Sequence, residues 1–463
     1  MGSADVRQTS LTGKAKHKFD VLSTQTATVM FHEVDSYIPT SPYFHFAPSA
    51  VGVDIEAEYQ SYSSIPQIFG TGNQQADKEK LWATGMASQQ DDLAISFDAN
   101  ERNLKVQALA NSESFESLQE SYRICTTNQW NYDQAKQFAR SADWENHVGI
   151  VTYRPFDERF SVLHKHILTI LRRRVMSQFD GNSATNVGLV VSRAVNDAAF
   201  AHAFVTVQPI DKIFISSKSS TNAYVFPLYT SEDGLFDNEK RINLSDAFVD
   251  GLTKRHAIDI KSDESWERAA FGYVLAILFS QSYRARFNDL LRVDFPRIPN
   301  TNVSELYFRL AEIGISLISV LLIEELDTTT VSFSGKAGDA VEKVSHSGDT
   351  VWIDKAKSKG FFPVSNESFS HPIGGYQPLE RWLKDRQAKG GKKARLGRKL
   401  TKEDIEHYQK MVIAIRETIR LMGEIDEVID QHGGWPDAFV TKPLGETNSS
   451  SADSPPGASP PFA

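Results

Sequence analysis

Cysteine is almost missing: Cys125 is the only one in 463 residues. A disulfide framework and a cysteine-rich zinc site are therefore excluded, and a reducing, cytosolic location fits this usage. The polar stretch from Met1 to Lys18 has no apolar segment of the kind a signal peptide needs. Long hydrophobic runs are absent too. The most apolar one, Ile313 to Ile323, is too short to cross a bilayer and reads as a core helix. No excess of positive charge is present, the formal net charge being −9, so the whole chain is not a basic glove for nucleic acid. A local basic patch is still open to it. No internal repeat is visible. What is plentiful is core material, with 40% hydrophobic and 11% aromatic residues, and the length suits two or three domains.

The patterning changes along the chain. Thr28 to Pro48 reads as strands and loops, Thr71 to Lys80 as a polar loop, and Leu93 to Phe97 alternates like a strand. Asn103 to Glu120 and Asp133 to Arg140 read as helices. From Gly149 onward short β-branched or aromatic runs predict strands over 149–153, 160–163, 187–192, 203–207, 212–216 and 223–228. The period then turns helical over Glu264 to Ser280 and over Ser304 to Leu326, with Ser304 as the expected cap. Thr329 to Asp354 suggests a strand pair around a glycine-bearing loop. Thr401 to Gln431 is the clearest helix. Thr401 and Asp404 form a capping-box pair, and Gly433-Gly434 ends the helix. Asn448 to Ala463 is Ser/Pro-rich and is expected to be disordered.

Several constellations fail on spacing. Asp250, Asp259 and Lys261 imitate a metal-dependent nuclease core, but Asp263-Glu264 follows at once and no hairpin is evident. His164 and His166 would share a face of a strand, yet no third zinc ligand is near them in sequence. No Gly-x-Ser-x-Gly nucleophile elbow occurs. The charges Glu406, Lys410, Glu417 and Arg420 read as a solvated helix surface.

Six strings in a fixed order carry more information. They are Tyr153 to Arg159 (YRPFDER), Ser192 to Asp197 (SRAVND), Tyr224 to Tyr229 (YVFPLY), Ser282 to Phe287 (SYRARF), Asp294 to Pro299 (DFPRIP) and Ile373 to Arg386 (IGGYQPLERWLKDR). The last leads into Leu400 to Tyr408. In this order, from about Tyr59 to about Ile429, the chain resembles the C-terminal specificity region of type ISP restriction–modification enzymes and related adenine-specific DNA methyltransferases.

The resemblance implies an α+β fold, with a β-rich target-recognition part followed by a mainly helical C-terminal part. Its boundaries are expected at 1–58 (remnant or linker to a methyltransferase part), 59–300 (target recognition), 301–440 (helical specificity domain) and 441–463 (disordered tail). It also implies a Rossmann-like methyltransferase domain with an Asn-Pro-Pro-Tyr-type motif that holds a flipped adenine. No complete domain of that kind can be read in this sequence. Ser459 to Phe462 fits only a relaxed spelling of the motif, at the end of a tail with no strand before it. Phe69-Gly70-Thr71-Gly72 lacks the strand and helix of a cofactor loop. S-adenosylmethionine is therefore expected in a partner methyltransferase part, and this chain is expected to carry no cofactor and no catalytic residue. The expected partners are double-stranded DNA and a methyltransferase domain or subunit, with no membrane and a cytoplasmic location. The alternative is an interaction subunit of a defence complex that no longer reads DNA.

DNA reading needs cations on phosphates and bidentate side chains on base edges. The candidates are Arg154, Arg159, Arg172, Arg173, Arg174, Arg193, Asn222, Arg284 and Arg286. At least one of Arg154 and Arg159, which flank Asp157, is expected to be ion-paired. Asn128 to Asn131 adds a polar-aromatic cluster around Trp130. The strongest electrostatic feature is Arg381 to Lys402, with Lys384, Arg386, Lys392, Lys393, Arg395, Arg398 and Lys399 against Asp385 alone. Its glycines suggest a flexible basic loop between two helices.

Overall fold

The computed structural model describes residues 6–7, 36–37, 52–70, 81–125, 129–179, 186–218, 221–231, 241–256, 266–388 and 397–439. The chain divides into two units, 1–61 and 62 onward. In the first, Val6–Arg7 pairs with Ser36–Tyr37, and Val53–Gln60 is a helix.

The second unit is built on a four-stranded sheet in the order Ala83–Thr84, Ala223–Pro227, Gly188–Ser192, Ala203–Thr206. Every pairing in it is antiparallel. Gly188–Ser192 is buried at every position, which is why that run is apolar without alternation. On one face Trp82 and Phe295 pack on Phe226, with ring centroids 5.2 and 5.7 Å apart. A hairpin of Val148–Arg154 and Asp157–Val162 joins the sheet's margin where Thr152 N–H donates to Pro209 O at 2.8 Å.

Three expected elements fold differently. Leu93 to Phe97 is no strand: Asp91–Ala94 is a helical turn, and only Ser96 pairs, through a two-way bridge to Phe160. Lys212 to Ser216 is a turn, because the Asp211 carboxylate captures Ile213 N–H at 3.0 Å. The single helix expected over Asn103 to Glu120 is two, Ala99–Asn111 and Phe115–Tyr122. Each has its own cap, in Asp98 and Ser114 respectively.

The helical layer follows the sequence more closely. Trp266–Phe279, almost wholly buried, packs against Ser304–Leu321, and both lie on the long helix Lys402–Gln431. The first pair crosses at bare backbone: a Cβ on Gly314 would sit 1.8 Å from Gly272 O. These helices pack together across the boundary expected at 300. Val303, in an extended conformation, takes the cap position assigned to Ser304, and Ser304 begins the helix. Thr401 and Asp404 form the expected capping box.

The expected strand pair over Thr329 to Asp354 is part of a small four-stranded antiparallel sheet. Its order is Ser332–Phe333, Gly360–Phe362, Thr350–Trp352, Ser345–Ser347. Strands of two or three residues are too short to show a period. Mixed helix and sheet is the observed class. No described helix is long and apolar enough to cross a membrane. The segments 71–80, 448–463 and 389–396 lie outside the described residues.

Candidate nucleic-acid interface

Three predicted residues, Arg193, Asn222 and Arg172, are tied to one end of the central sheet. Ser192 pairs with Ala223, so Arg193 and Asn222 leave neighbouring strands side by side. Arg193 is exposed and bonds Asp294 through Nε at 2.8 Å. Thr84, opposite Tyr224 on the outer strand, accepts from Arg172 Nε at 3.1 Å. Arg172 is in the left-handed region (φ 51°) and starts the turn that presents Arg173 and Arg174; all three are exposed. The apolar run before them is irregular; Ile170 bridges to Ala87 and Thr169 Oγ1 donates to Ser88 O at 2.6 Å. Trp82 and Tyr224 are half-buried, and their rings lie 5.9 Å apart.

Beside this end, two of the diagnostic strings meet. Gly374 N–H donates to Ala201 O at 2.7 Å, and Gly375 N–H to Ile215 O at 2.9 Å. Gly374 has φ +60°, and a Cβ there would fall 1.9 Å from Ile215 O, so only glycine fits. Asp197 ties the junction. Its Oδ2 accepts from Ser216 Oγ and from His202 Nε2, each at 3.0 Å, and its Oδ1 meets Lys218 Nζ at 3.0 Å. Burial opposes ionisation of Asp197, yet Lys218, Ser216 and His202 hold it below the usual carboxylate range. Burial pushes His202 down to about 4 in spite of Asp197. A cavity of about 540 Å³ opens here, lined by Asp197, Tyr376, Gln377, Arg381 and Lys384 among others. Lys384 is exposed and pairs with Glu380 at 2.7 Å. Sequence reading singled out Asp197 only as the end of a string and missed its junction with His202, Ser216 and Lys218, because those residues follow no motif spacing.

Other predicted arginines are not on a surface, and their assignment as phosphate contacts is corrected by burial. Arg154 is 3% exposed, pairs with Asp211 at 2.9 Å, and lies 3.8 Å from the Tyr153 ring centroid. Arg159 is 4% exposed; it grips Asp157 with two bonds, of 2.6 and 3.0 Å, and covers Phe97. Arg386 is 6% exposed and reaches Asp157 at 3.3 Å and Asp404 at 3.4 Å, stacked 3.3 Å from the Trp382 centroid. Burial lowers Arg386 to about 10, which leaves it charged at neutral pH. Burial opposes the charge on Asp157, but Arg159 and Arg386 draw its pKa below the usual range. Arg398 extends the chain of charges to Asp98 at 2.9 Å and Asp404 at 3.4 Å. A cavity of about 910 Å³ borders this cluster, lined by Phe97, Asp157, Trp382, Arg386 and His407 among others. The Trp382 indole N–H facing it has no hydrogen-bond partner among the described residues.

Arg284 and Arg286 are half-buried. Arg284 donates to Leu278 O at 2.6 Å and lies over Phe279; Arg286 lies near Phe287. Lys399 is exposed and bridges to Ala340. Lys392, Lys393 and Arg395 lie outside the described residues, but the ends of their segment meet where Arg398 N–H donates to Arg386 O at 2.9 Å. In the Trp130 cluster, Asn128 is outside the described residues. Trp130 is buried with its N–H on His166 O, and Asn131 caps the helix Tyr132–Arg140. His147 joins His164 and His166, with its ring 4.7 Å from that of His164. No group of three potential ligands among the described residues is placed to hold a metal ion.

The sequence matches the Type ISP C-terminal specificity domain over residues 80–424, well over half of the chain, and the protein belongs to that family. Three solved structures share the fold. One is a nuclease-deletion mutant of the Type ISP restriction–modification enzyme LlaGI in complex with a DNA substrate mimic (TM-score 0.57, 16% identity, 85% of this chain and 36% of that one). Another is the ATP-dependent Type ISP restriction–modification enzyme LlaBIII bound to DNA (0.58, 16%, 85% and 25%). The third is a DrdV–DNA complex (0.63, 18%, 89% and 42%). The chain thus spans well under half the length of each. No curated protein matches the sequence.

Proposed function

We propose that this chain reads a short sequence in double-stranded DNA as the target-recognition part of a restriction–modification enzyme. The observation that carries the reading is its membership of the Type ISP specificity family. The geometry supports it: Arg193 is exposed next to Asn222 at one end of the sheet, Arg172 reaches the outer strand through Thr84, and Arg173 and Arg174 are exposed in the turn that follows. On this reading the three arginines grip phosphates and set register, while Arg193 and Asn222 inspect base edges. The partner is a methyltransferase part that binds S-adenosylmethionine and methylates an adenine in the recognised sequence. The system acts in the cytoplasm in defence against phage.

The test is selection of duplexes from a randomised library with the full chain, followed by affinity measurements at two salt concentrations. Enrichment of one motif, with weaker and steeply salt-dependent binding to scrambled duplex, is expected. Absence of binding at low ionic strength rejects the reading and leaves an interaction subunit. Adenine specificity is checked separately, by mapping N6-methyladenine in DNA after the enriched motif is exposed to the chain and a methyltransferase part.

A further inference from the structure

The small sheet has one face on the core and one toward solvent. Phe333, Val351 and Phe361 point inward; the Phe361 ring lies 4.3 Å from that of Tyr408 on the long helix. The register places Ser345 opposite Trp352, Ser347 opposite Thr350 and Ser332 opposite Phe362, all on the outer face. That face is made of hydroxyls and two aromatic rings. Trp352 is half-exposed and Phe362 is 41% exposed.

Lysines flank it. Ser347 Oγ accepts from Trp352 Nε1 at 2.9 Å and from Lys357 Nζ at 3.1 Å, so the indole and the ammonium converge on one oxygen. Lys343 N–H donates to Ile353 O at 3.1 Å, which holds Lys343 beside the end of the same strand pair. Lys343, Lys355 and Lys357 are exposed, and none makes an ion pair among the described residues. Lys359 differs, being tied to Asp339 at 2.6 Å. Two exposed carboxylates, Glu342 and Asp349, oppose the three lysines. The described ends of the basic stretch meet the segment that precedes the strand Ser345–Ser347: Lys399 bridges to Ala340, and Gln387 Nε2 donates to Glu342 O at 2.6 Å. Exposed Lys399 is therefore held next to the segment that leads into the sheet.

We infer that this outer face is a second contact to duplex DNA, one that holds the backbone beyond the recognised sequence and reads no bases. The inference rests on the reading that the chain binds DNA. Lysine meets a phosphate as a point charge without sequence information. The serine and threonine hydroxyls can donate to phosphate oxygens, and Trp352 offers a flat apolar surface to a deoxyribose.

The test compares the full chain with K343E/K355E/K357E and with W352A. Each is titrated with the enriched motif and a scrambled duplex, at motif length and extended by about ten base pairs, one helical turn, on each side. The unaltered chain should bind the extended duplexes several-fold tighter. The triple variant should lose that gain and bind motif and scramble more weakly by the same factor. Its log–log salt slope should fall by roughly 0.9 for each phosphate no longer neutralised. W352A should lose part of the gain with the slope unchanged. Thermal melts establish folding, and K343Q/K355Q/K357Q serves if charge reversal unfolds the sheet. Folded variants with unchanged affinity, slope and length dependence overturn the inference, as does a loss confined to the motif duplex. An unaltered chain that binds no duplex overturns the DNA reading itself, and this inference with it.

Discussion

Arg386 and Arg173 look alike in the sequence, each within a basic run near a helix, and the structure gives them opposite environments. Arg386, with Arg159, sits in a buried network with Asp157 and Asp404, among Phe97 and Trp382. Arg172 to Arg174 face solvent, and Arg172 rests on the neutral hydroxyl of Thr84 at 3.1 Å. The lesson is about desolvation. A guanidinium taken from water needs carboxylates placed around it, and these can be local or remote: Asp157 is 2 residues from Arg159 and 229 from Arg386. Arginines without such carboxylates remain available to an external anion.

The largest expected effect tests the buried side. Arg386→Ala leaves Asp157 and Asp404 with less compensation and should destabilise the fold by about 3–5 kcal/mol in urea unfolding. A loss under about 1 kcal/mol, the scale of an exposed pair, would erase the contrast. Acid should separate the regions next. His202 is fully buried and stays neutral down to about 4. An unfolded chain takes the same proton near pH 6.5. The stability from keeping His202 neutral is therefore complete above about pH 6.5 and is lost as pH falls toward about 4, by roughly 3 kcal/mol. His202→Gln should flatten that slope in pH-dependent melts. A slope that survives the substitution would assign it to other groups.

On the exposed side, Arg172→Ala/Arg173→Ala/Arg174→Ala should leave the melting temperature nearly unchanged. It should weaken binding to all duplexes and reduce the salt slope by as much as about 2.7, three phosphates at roughly 0.9 each. A collapse in stability would mean that these arginines share the structural role of Arg386. The smallest effect is expected for Asp294→Ala. The exposed Arg193–Asp294 pair contributes about 0–1 kcal/mol to folding, so stability should barely move while Arg193 becomes freer for DNA. Weaker DNA binding by this variant would show instead that Asp294 orients Arg193.

What could be read from sequence was local. Thr401 and Asp404 lie three residues apart, and the long helix begins where they predict. The strands at Gly188–Ser192 and Ala223–Pro227 are uninterrupted β-formers between turn residues, and they too were legible. Leu93 to Phe97 misled because a short buried apolar run has the same composition in a helical turn as in a strand. The loop positions of Arg193 and Asn222 were anticipated, and so was an ion pair for one of the arginines flanking Asp157, which Arg159 makes. Burial of Arg154 and Arg386 was not, since their partners Asp211 and Asp157 come from elsewhere in the chain. The Asp197 junction was invisible for the same reason.

The bond that joins Arg398 N–H to Arg386 O closes the intervening residues into a ring pinned at its base. Lengthening a closed segment costs little, about 0.6 kcal/mol for each doubling. Changes of length confined to residues 389–396 should therefore cost the fold little, which makes that interval a natural splice point for replacement sequences.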